Sequence, residues 1–229
     1  TTFSWSSGAT GNDPLVDEAG AYALTVTDNL GCRFEPPAAV VEVLPEPGGL
    51  IRAIEKNENG VISAIHYDFL KTCFGDPVFL DMELQGVYGV LWSTGSTDKA
   101  LEYSLERGNP LPVGTHVFTA ILTDNATGCT TEIGPMTVEV NANPGVPQIA
   151  FDGTPPWCAL SGEVARVKNI QPGMTYTWST QQQGTFITVQ SAGLYSVQVR
   201  DMNGCTAESY PLTLQETPST LLAPDGCHR

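Results

Sequence analysis

Few residues in this 229-residue chain are of a type that does chemistry: six cysteines, three histidines (His66, His116, His228) and enough carboxylates for a net charge of −15. The cysteines form no Cys-x-x-Cys pair and the histidines are too dispersed to complete a zinc site, so the thiols point to disulfides made outside a reducing cytoplasm. Ser63, His66 and Asp68 can be arranged on paper as a hydrolase constellation. No Gly-x-Ser-x-Gly elbow accompanies them, and the alternation of Ile62 to Asp68 already accounts for the run as a strand. Asp81 and Glu83 are spaced for one strand face, where paired acids can hydrolyse glycosides but are more often just solvated. Asp28, Asp124 and Asp201 recur at hairpin mouths, where a hard cation is one reading and turn formation the plainer one, no Asp-x-Asp-x-Asp ladder being present. No catalytic, cofactor-binding or metal-ligating residue is assigned, and the chain reads as a non-enzyme.

The elements that position these residues are written more than once. Thr2 to Cys32 and Thr175 to Cys205 align without a gap at an offset of 173, matching at 12 of 31 positions. Each copy has a Trp in an alternating strand (Trp5, Trp178), then Ala-Gly-x-Tyr (Ala19 to Tyr22, Ala192 to Tyr195), then Asp-x-x-Gly-Cys (Asp28 to Cys32, Asp201 to Cys205). A third copy lies between them, with Trp92-Ser93-Thr94-Gly95, Gly114 to Phe118 in place of Gly-x-Tyr, and Asp124 with Gly128-Cys129. Such repetition marks supersecondary packages strung along a line. Tyr22, Leu24 and Val26 fall on one side of a period-two run, as do Tyr195, Val197 and Val199, which predicts a half-buried strand reversing at the Asp-Gly turn into the Cys-bearing strand. A further alternating run and a Pro/Gly-rich linker follow each hairpin. No segment carries an amphipathic helix of twelve residues. Ile51 to Asn57 is the least strand-like piece, read as a loop or short strand, and Gly95 to Gly114, with Arg107 to Pro110, is read as a long turn or a binding loop.

Trp-Ser-Thr-Gly, a β run, and Gly-x-Tyr continuing to Asp-x-x-Gly-Cys closely resemble the Ig-like or PKD-like tandem repeats of secreted cell-surface proteins of the Bacteroidota, of the gliding-adhesin and type IX secretion cargo kind. Trp92 to Gly95 and Gly193 to Cys205 carry the pattern almost unaltered, and the resemblance covers most of the chain. It implies an all-β chain of tandem Ig-like β-sandwich modules serving as spacer or adhesive stalk, without an active site. In such modules Trp5, Trp92 and Trp178 are core residues, while Trp157 is the candidate for a surface contact.

Two linkers, Pro45 to Gly49 and Asn143 to Pro147, divide the chain into residues 1–44, 50–142 and 148–216, with a tail of 217–229. Modules of this size have marginal cores and call for a covalent staple. Cys73 precedes Trp92 by 19 residues and Cys158 precedes Trp178 by 20, which predicts the pairs Cys73 with Cys129 and Cys158 with Cys205. Cys32 is left over, because the first module is incomplete and lacks its opening strands. The tail Pro218 to Cys227 looks like the start of a further module, comparable with Pro147 to Cys158. One resolution is that Thr220, Leu221, Leu222 and Ala223 act as a donor strand completing module 1 of the next molecule, with an intermolecular disulfide from Cys227 to Cys32. Even then about a dozen residues resembling Val164 to Val167 have no counterpart. Cuts through a longer array and an intrachain Cys32 to Cys227 bond stay open.

An acidic surface disfavours nucleic acid. No apolar run approaches the roughly 20 residues of a membrane span, and the chain reads as a processed or excised extracellular segment, secreted or at the cell surface. The leading expectation is a structural protein, protomer of a head-to-tail filament of its own copies or segment of an adhesin stalk. The alternative is a carbohydrate-binding or spacer segment of a larger secreted hydrolase or adhesin, favoured by exposed coplanar aromatics and opposed by burial of the repeat Trp residues.

Overall fold

Alternating apolar and polar side chains leave no helical stripe to bury, and strands are the only regular elements of the computed structural model, which describes residues 1–153 and 162–215. Trp157, Cys158, Thr220, Leu221, Leu222, Ala223, Cys227 and His228, singled out above, lie outside the described residues.

The first 44 residues hold β1 (Thr2–Trp5), β2 (Gly20–Tyr22), β3 (Leu24–Thr27), β4 (Arg33–Phe34) and β5 (Ala39–Val41). They form a three-stranded sheet in the order β1-β3-β4 and a β2–β5 pair. The second group comprises β6 (Gly49–Lys56), β7 (Ile62–His66), β8 (Phe69–Cys73), β9 (Val78–Leu84), β10 (Gly89–Trp92), β11 (Ala100–Tyr103), β12 (Gly114–Thr123) and β13 (Thr130–Asn141). Its two four-stranded sheets run β11-β9-β6-β7 and β10-β12-β13-β8. Leu80 from one sheet and Trp92, Leu122, Met136 and Val138 from the other are buried in a single apolar cluster. The third group has β14 (Ile149–Phe151), β15 (Glu163–Val167), β16 (Thr175–Trp178), β17 (Phe186–Val189), β18 (Gly193–Tyr195), β19 (Val197–Arg200), β20 (Thr206–Glu208) and β21 (Leu212–Leu214). Here β14-β15-β17 faces β16-β19-β20 and the β18–β21 pair across a second cluster centred on Trp178. Two face-to-face sheets over one core, each with a buried Trp, make these groups Ig-like sandwiches.

A conserved-looking corner in each repeat is hydrogen-bonded alike. The Tyr195 hydroxyl donates to the Ser191 carbonyl at 2.6 Å and that of Tyr22 to Glu18 at 2.8 Å, the tyrosine-corner arrangement of Ig-like domains. At the same step of the second module His116 Nε2 donates to the Pro112 carbonyl at 2.8 Å, so this histidine stands in for a tyrosine.

Two expectations are corrected. Ile51 to Asn57 is neither loop nor short strand: it lies within eight-residue β6, flanked by β9 and β7. Arg52 disguised its alternation, pointing outward to Asp81 at 2.5 Å and Glu83 at 3.2 Å while Ile51 and small Ala53 face the core. The stretch Gly95 to Gly114 is not one long turn, since β11 within it pairs along β9 and lays Tyr103 against Phe118, ring centres 5.7 Å apart.

After β14, Asp152 accepts from Lys168 Nζ at 2.9 Å and Arg166 Nε at 3.1 Å, and these two cations, Lys168 first, hold its carboxyl below the usual carboxylate range. A folded-state value below the unfolded one favours the native state at pH above the ordinary Asp value of about 3.9, a contribution lost as pH falls through the folded value. We expect Asp152→Asn to lower stability slightly at neutral pH and the difference to shrink as pH falls below the ordinary Asp value, measured by denaturant titration from neutral to acid pH.

Candidate functional site

The site begins with what the first module does not cover. Its pairings reproduce those of the third at the same offset of 173: Trp5 opposite Leu24 as Trp178 opposite Val197, and Tyr22 opposite Ala39 as Tyr195 opposite Leu212. The Trp5 indole donates to Gly11 and that of Trp178 to Gly184, both at 2.9 Å. One half of the sandwich is thus built to the same plan twice. In the third module Tyr176, Trp178, Tyr195, Val197, Val199 and Leu214 are all buried, 8 % exposed or less, under the β14-β15-β17 sheet. Their counterparts Phe3, Trp5, Tyr22, Leu24, Val26 and Val41 are only half-buried, and no residue of 1–44 is buried.

The reason is a missing layer. Residues 1–44 contain no counterpart of β14 or β15. The counterpart of β17 is present as Asp13-Pro14-Leu15-Val16 but forms no strand, and Leu15 is fully exposed. In the third module that segment gains its ladder from β15, Ala165 standing opposite Ile187. Among the described residues no strand pairs with 13–16, which leaves an open edge of the kind that can take a further strand.

The second component is covalent. Cys73 is bonded to Cys205, 132 residues away and in the next module. This overturns the expected pairing of Cys73 with Cys129 and, with it, that of Cys158 with Cys205. Parallel pairing of β8 with β13 puts Cys73 opposite Asn141, the last residue of β13, whereas Cys129 precedes the first. Twelve residues of strand separate the two by about 40 Å, against the roughly 7 Å limit between Cα atoms for a disulfide. Equal distance from a Trp identified equivalent cysteines but not the end of the sandwich each occupies. Cys32 and Cys129 are free, the first exposed and the second half-buried.

Cys205 sits in a turn that occurs twice in almost the same form. Asp201 Oδ1 accepts from the N–H groups of Asn203 at 2.9 Å and Cys205 at 2.8 Å, while Asp201 N–H donates to the Cys205 carbonyl at 3.0 Å. Asp28 Oδ1 accepts from Leu30 and Cys32, both at 2.8 Å, and Asp28 N–H donates to Cys32 at 3.0 Å. Gly31 and Gly204 take φ of 86° and 90°, which a side chain adopts only with strain. The second-module turn is one residue longer, with Ala126 N–H on Asp124 Oδ1 at 2.8 Å and Asp124 N–H on the Cys129 carbonyl at 2.9 Å. These aspartates are occupied as turn acceptors, and no group of three or more metal-ligating side chains occurs among the described residues.

Other candidate residues are dispersed by the fold. His66 pairs with Glu55 at 3.2 Å across the β6–β7 hairpin. Asp81 and Glu83 share one face of β9 but are engaged by Arg52. A cleft of about 580 Å³ on the second module is lined by Phe79, Asp81, Thr94, Asp98, Glu102 and Tyr103. It offers no bare aromatic platform: Lys56 Nζ lies 3.9 Å over the Phe79 ring, and Tyr103 packs tilted against buried Phe118, burial pushing its hydroxyl up. No helix of the described residues is long and apolar enough to cross a membrane.

No protein-family model and no curated protein matches the chain. Among solved structures it is similar to immunoglobulin domains 1–5 of Sidekick-1 (10 % identity, 91 % of this chain and 51 % of that one, TM-score 0.26) and to domains 1–4 of the same protein (12 %, 91 % and 64 %, TM-score 0.27). It is also similar to SGBP-B of the Bacteroides ovatus mixed-linkage glucan utilization locus, in complex with a mixed-linkage heptasaccharide (14 %, 94 % and 59 %, TM-score 0.21). The chain spans between about half and two thirds of the length of these structures.

Proposed function

We propose that the protein is an extracellular structural module array of the Bacteroidota surface-repeat kind, a protomer of a head-to-tail filament or stalk, with no catalytic role. One observation carries the reading: six apolar residues that are buried in the third module lie half-covered in the first, beside an unpaired segment at 13–16. A half-sandwich of this kind is completed by strands from outside, and a contact between unlike ends propagates instead of closing. The sheet order β14-β15-β17 refines the donor's role. The place next to 13–16 is that of central β15, whereas Thr220 to Ala223, comparable in sequence with the β14 stretch, supplies the edge strand, so a further strand is needed between the two. The disulfide favours an oxidising, extracellular compartment. The net charge of −15 opposes self-association at low salt, so assembly strengthens as ionic strength shortens the Debye length.

The test is sedimentation velocity of the full chain over a concentration series at 0.05 and 0.5 M salt, alongside a variant lacking residues 216–229. Oligomers that lengthen with concentration and salt and vanish with the deletion are expected. A full chain that stays monomeric throughout overturns the filament.

A further inference from the structure

A strand edge open to solvent invites pairing unless a charge, a proline or a covering segment blunts it, and the three modules treat one such edge differently. The segment that follows each repeat Trp by eight to eleven residues is Asp13 to Val16 in the first module, Ala100 to Tyr103 (β11) in the second and Phe186 to Val189 (β17) in the third. In the two complete sandwiches, β11 and β17 stand last in the orders β11-β9-β6-β7 and β14-β15-β17, each with one side unpaired among the described residues. The first module carries Asp13 where the third has Phe186. The second carries Glu102, held by Arg107 at 2.6 Å, where the third has Thr188. The third has no such guard: between Met174 and Val199 there is neither a charged residue nor a proline, in a chain with 25 acidic and ten basic residues.

The backbone of this bare edge is aimed outward. Val167 N–H donates to the Thr185 carbonyl at 2.9 Å, and β17 runs antiparallel to β15 with Ala165 opposite Ile187 and Glu163 opposite Val189. Alternate residues of an antiparallel ladder bond the same neighbour, so 185, 187 and 189 face β15 while Phe186, Thr188 and Gln190 turn their N–H and C=O groups to the open side. The side chains of Phe186 and Thr188 are exposed, whereas Ile187 and Val189 are buried in the core.

We propose that β17 pairs with β17 of a second copy, antiparallel about a two-fold axis at Thr188. In that register Thr188 lies opposite its own twin, Phe186 opposite Gln190 and Ile187 opposite Val189. Exposed side chains meet exposed ones and core side chains meet core ones, as a continuous sheet requires. Every outward backbone group from 186 to 190 finds a partner. An axis at Ile187 would instead set Gly184 opposite Gln190, but the Gly184 N–H is already donated to the Tyr176 carbonyl at 3.1 Å. A second copy fits because the seam is free of charge on both sides, whereas other surfaces of a chain with net charge −15 repel their like. The contact is isologous and closes at two, so it ties molecules side by side and does not depend on head-to-tail assembly.

Thr188→Cys, oxidised with diamide and mapped by mass spectrometry without reduction, should give a dimeric peptide joined through residue 188, because directly opposed residues of a hydrogen-bonded antiparallel pair have Cα atoms about 5.5 Å apart, within disulfide reach. Bonds made by the free thiols of Cys32 and Cys129 appear in different peptides. With the parent chain, amide exchange in residues 184–191 should be about tenfold slower or more in concentrated than in dilute solution, a readout confined to the seam. Thr188→Glu, which copies the second module at this position, should abolish that concentration dependence, and Thr188→Val should keep it. Thr188 is exposed, so neither change disturbs the core. Absence of the peptide joined at 188, or exchange that ignores concentration or the Thr188→Glu change, overturns the pairing.

Discussion

Trp178→Ala should cost the third module about 3 to 5 kcal/mol, the usual toll for emptying a buried aromatic site, while Trp5→Ala should cost an isolated chain about 1 kcal/mol or less. The two residues occupy the same repeat position and make the same indole bond, to Gly184 and Gly11. They differ in what lies over them: Trp178 is 1 % exposed under β14, β15 and β17, whereas Trp5 is half-buried with no second sheet above it. Trp92, 2 % exposed, should behave as Trp178 does. Urea unfolding followed by hydrogen exchange of peptides from each module reads the three costs separately. Equal losses for Trp5 and Trp178 would show that module 1 is a closed domain, and the assembly reading would fall. Repeating the Trp5 measurement on assembled material should raise its cost toward that of Trp178.

A larger effect is expected from supplying the absent layer in trans. A synthetic peptide spanning residues 147–168 carries the sequence of β14 and β15, and in the third module Glu163 to Arg166 pairs with Phe186 to Val189. Offered to the full chain in excess, it should dock against Asp13 to Val16 and slow amide exchange in β1, β3 and residues 13–16 by about a hundredfold or more, as expected when a frayed segment joins a cooperative sheet. Exchange in β6 to β13, already a closed sandwich, should not change. A control peptide with Ala165 and Val167 replaced by Asp keeps the length and loses the apolar face that would cover Trp5 and Leu24. Equal protection by both peptides, or by neither, counts against an acceptor groove at this position.

Period two, the recurrent Trp and the Asp-Gly turns made the sandwich class, the hairpins and the core positions of Trp92 and Trp178 legible before any coordinates, whereas Trp5, expected in a core as well, is only half-buried. Local chemistry is sufficient there: Asp201 needs only its own turn to find its N–H donors, and Val197 and Val199 announce their face by alternation. What was hidden depends on the third dimension. Arg52 broke the apolar rhythm of β6 because its partners Asp81 and Glu83 belong to another strand. The disulfide was misassigned because the repeat shows which cysteines are equivalent, not that β8 runs parallel to β13 and carries Cys73 to the far end of the sandwich. The length of the alternating run after Cys129 held a usable signal, since a strand that long separates its two ends beyond any disulfide. Asp13 to Val16 shows the converse case, a segment whose counterpart is a strand in one repeat and which stays unpaired in another for want of a neighbour.

The clasp between Cys73 and Cys205 also decides how the chain behaves under tension. A pull applied to its two ends enters through residues 1–73, crosses the sulfur bridge, and leaves through residues beyond 205, so the 132-residue span between the cysteines bears no load along its backbone. At about 3.4 Å per extended residue, roughly 450 Å of contour is withheld from stretching as long as the bridge is oxidised. Reduction would release that slack, converting a short tether into one roughly twice as long or a little more.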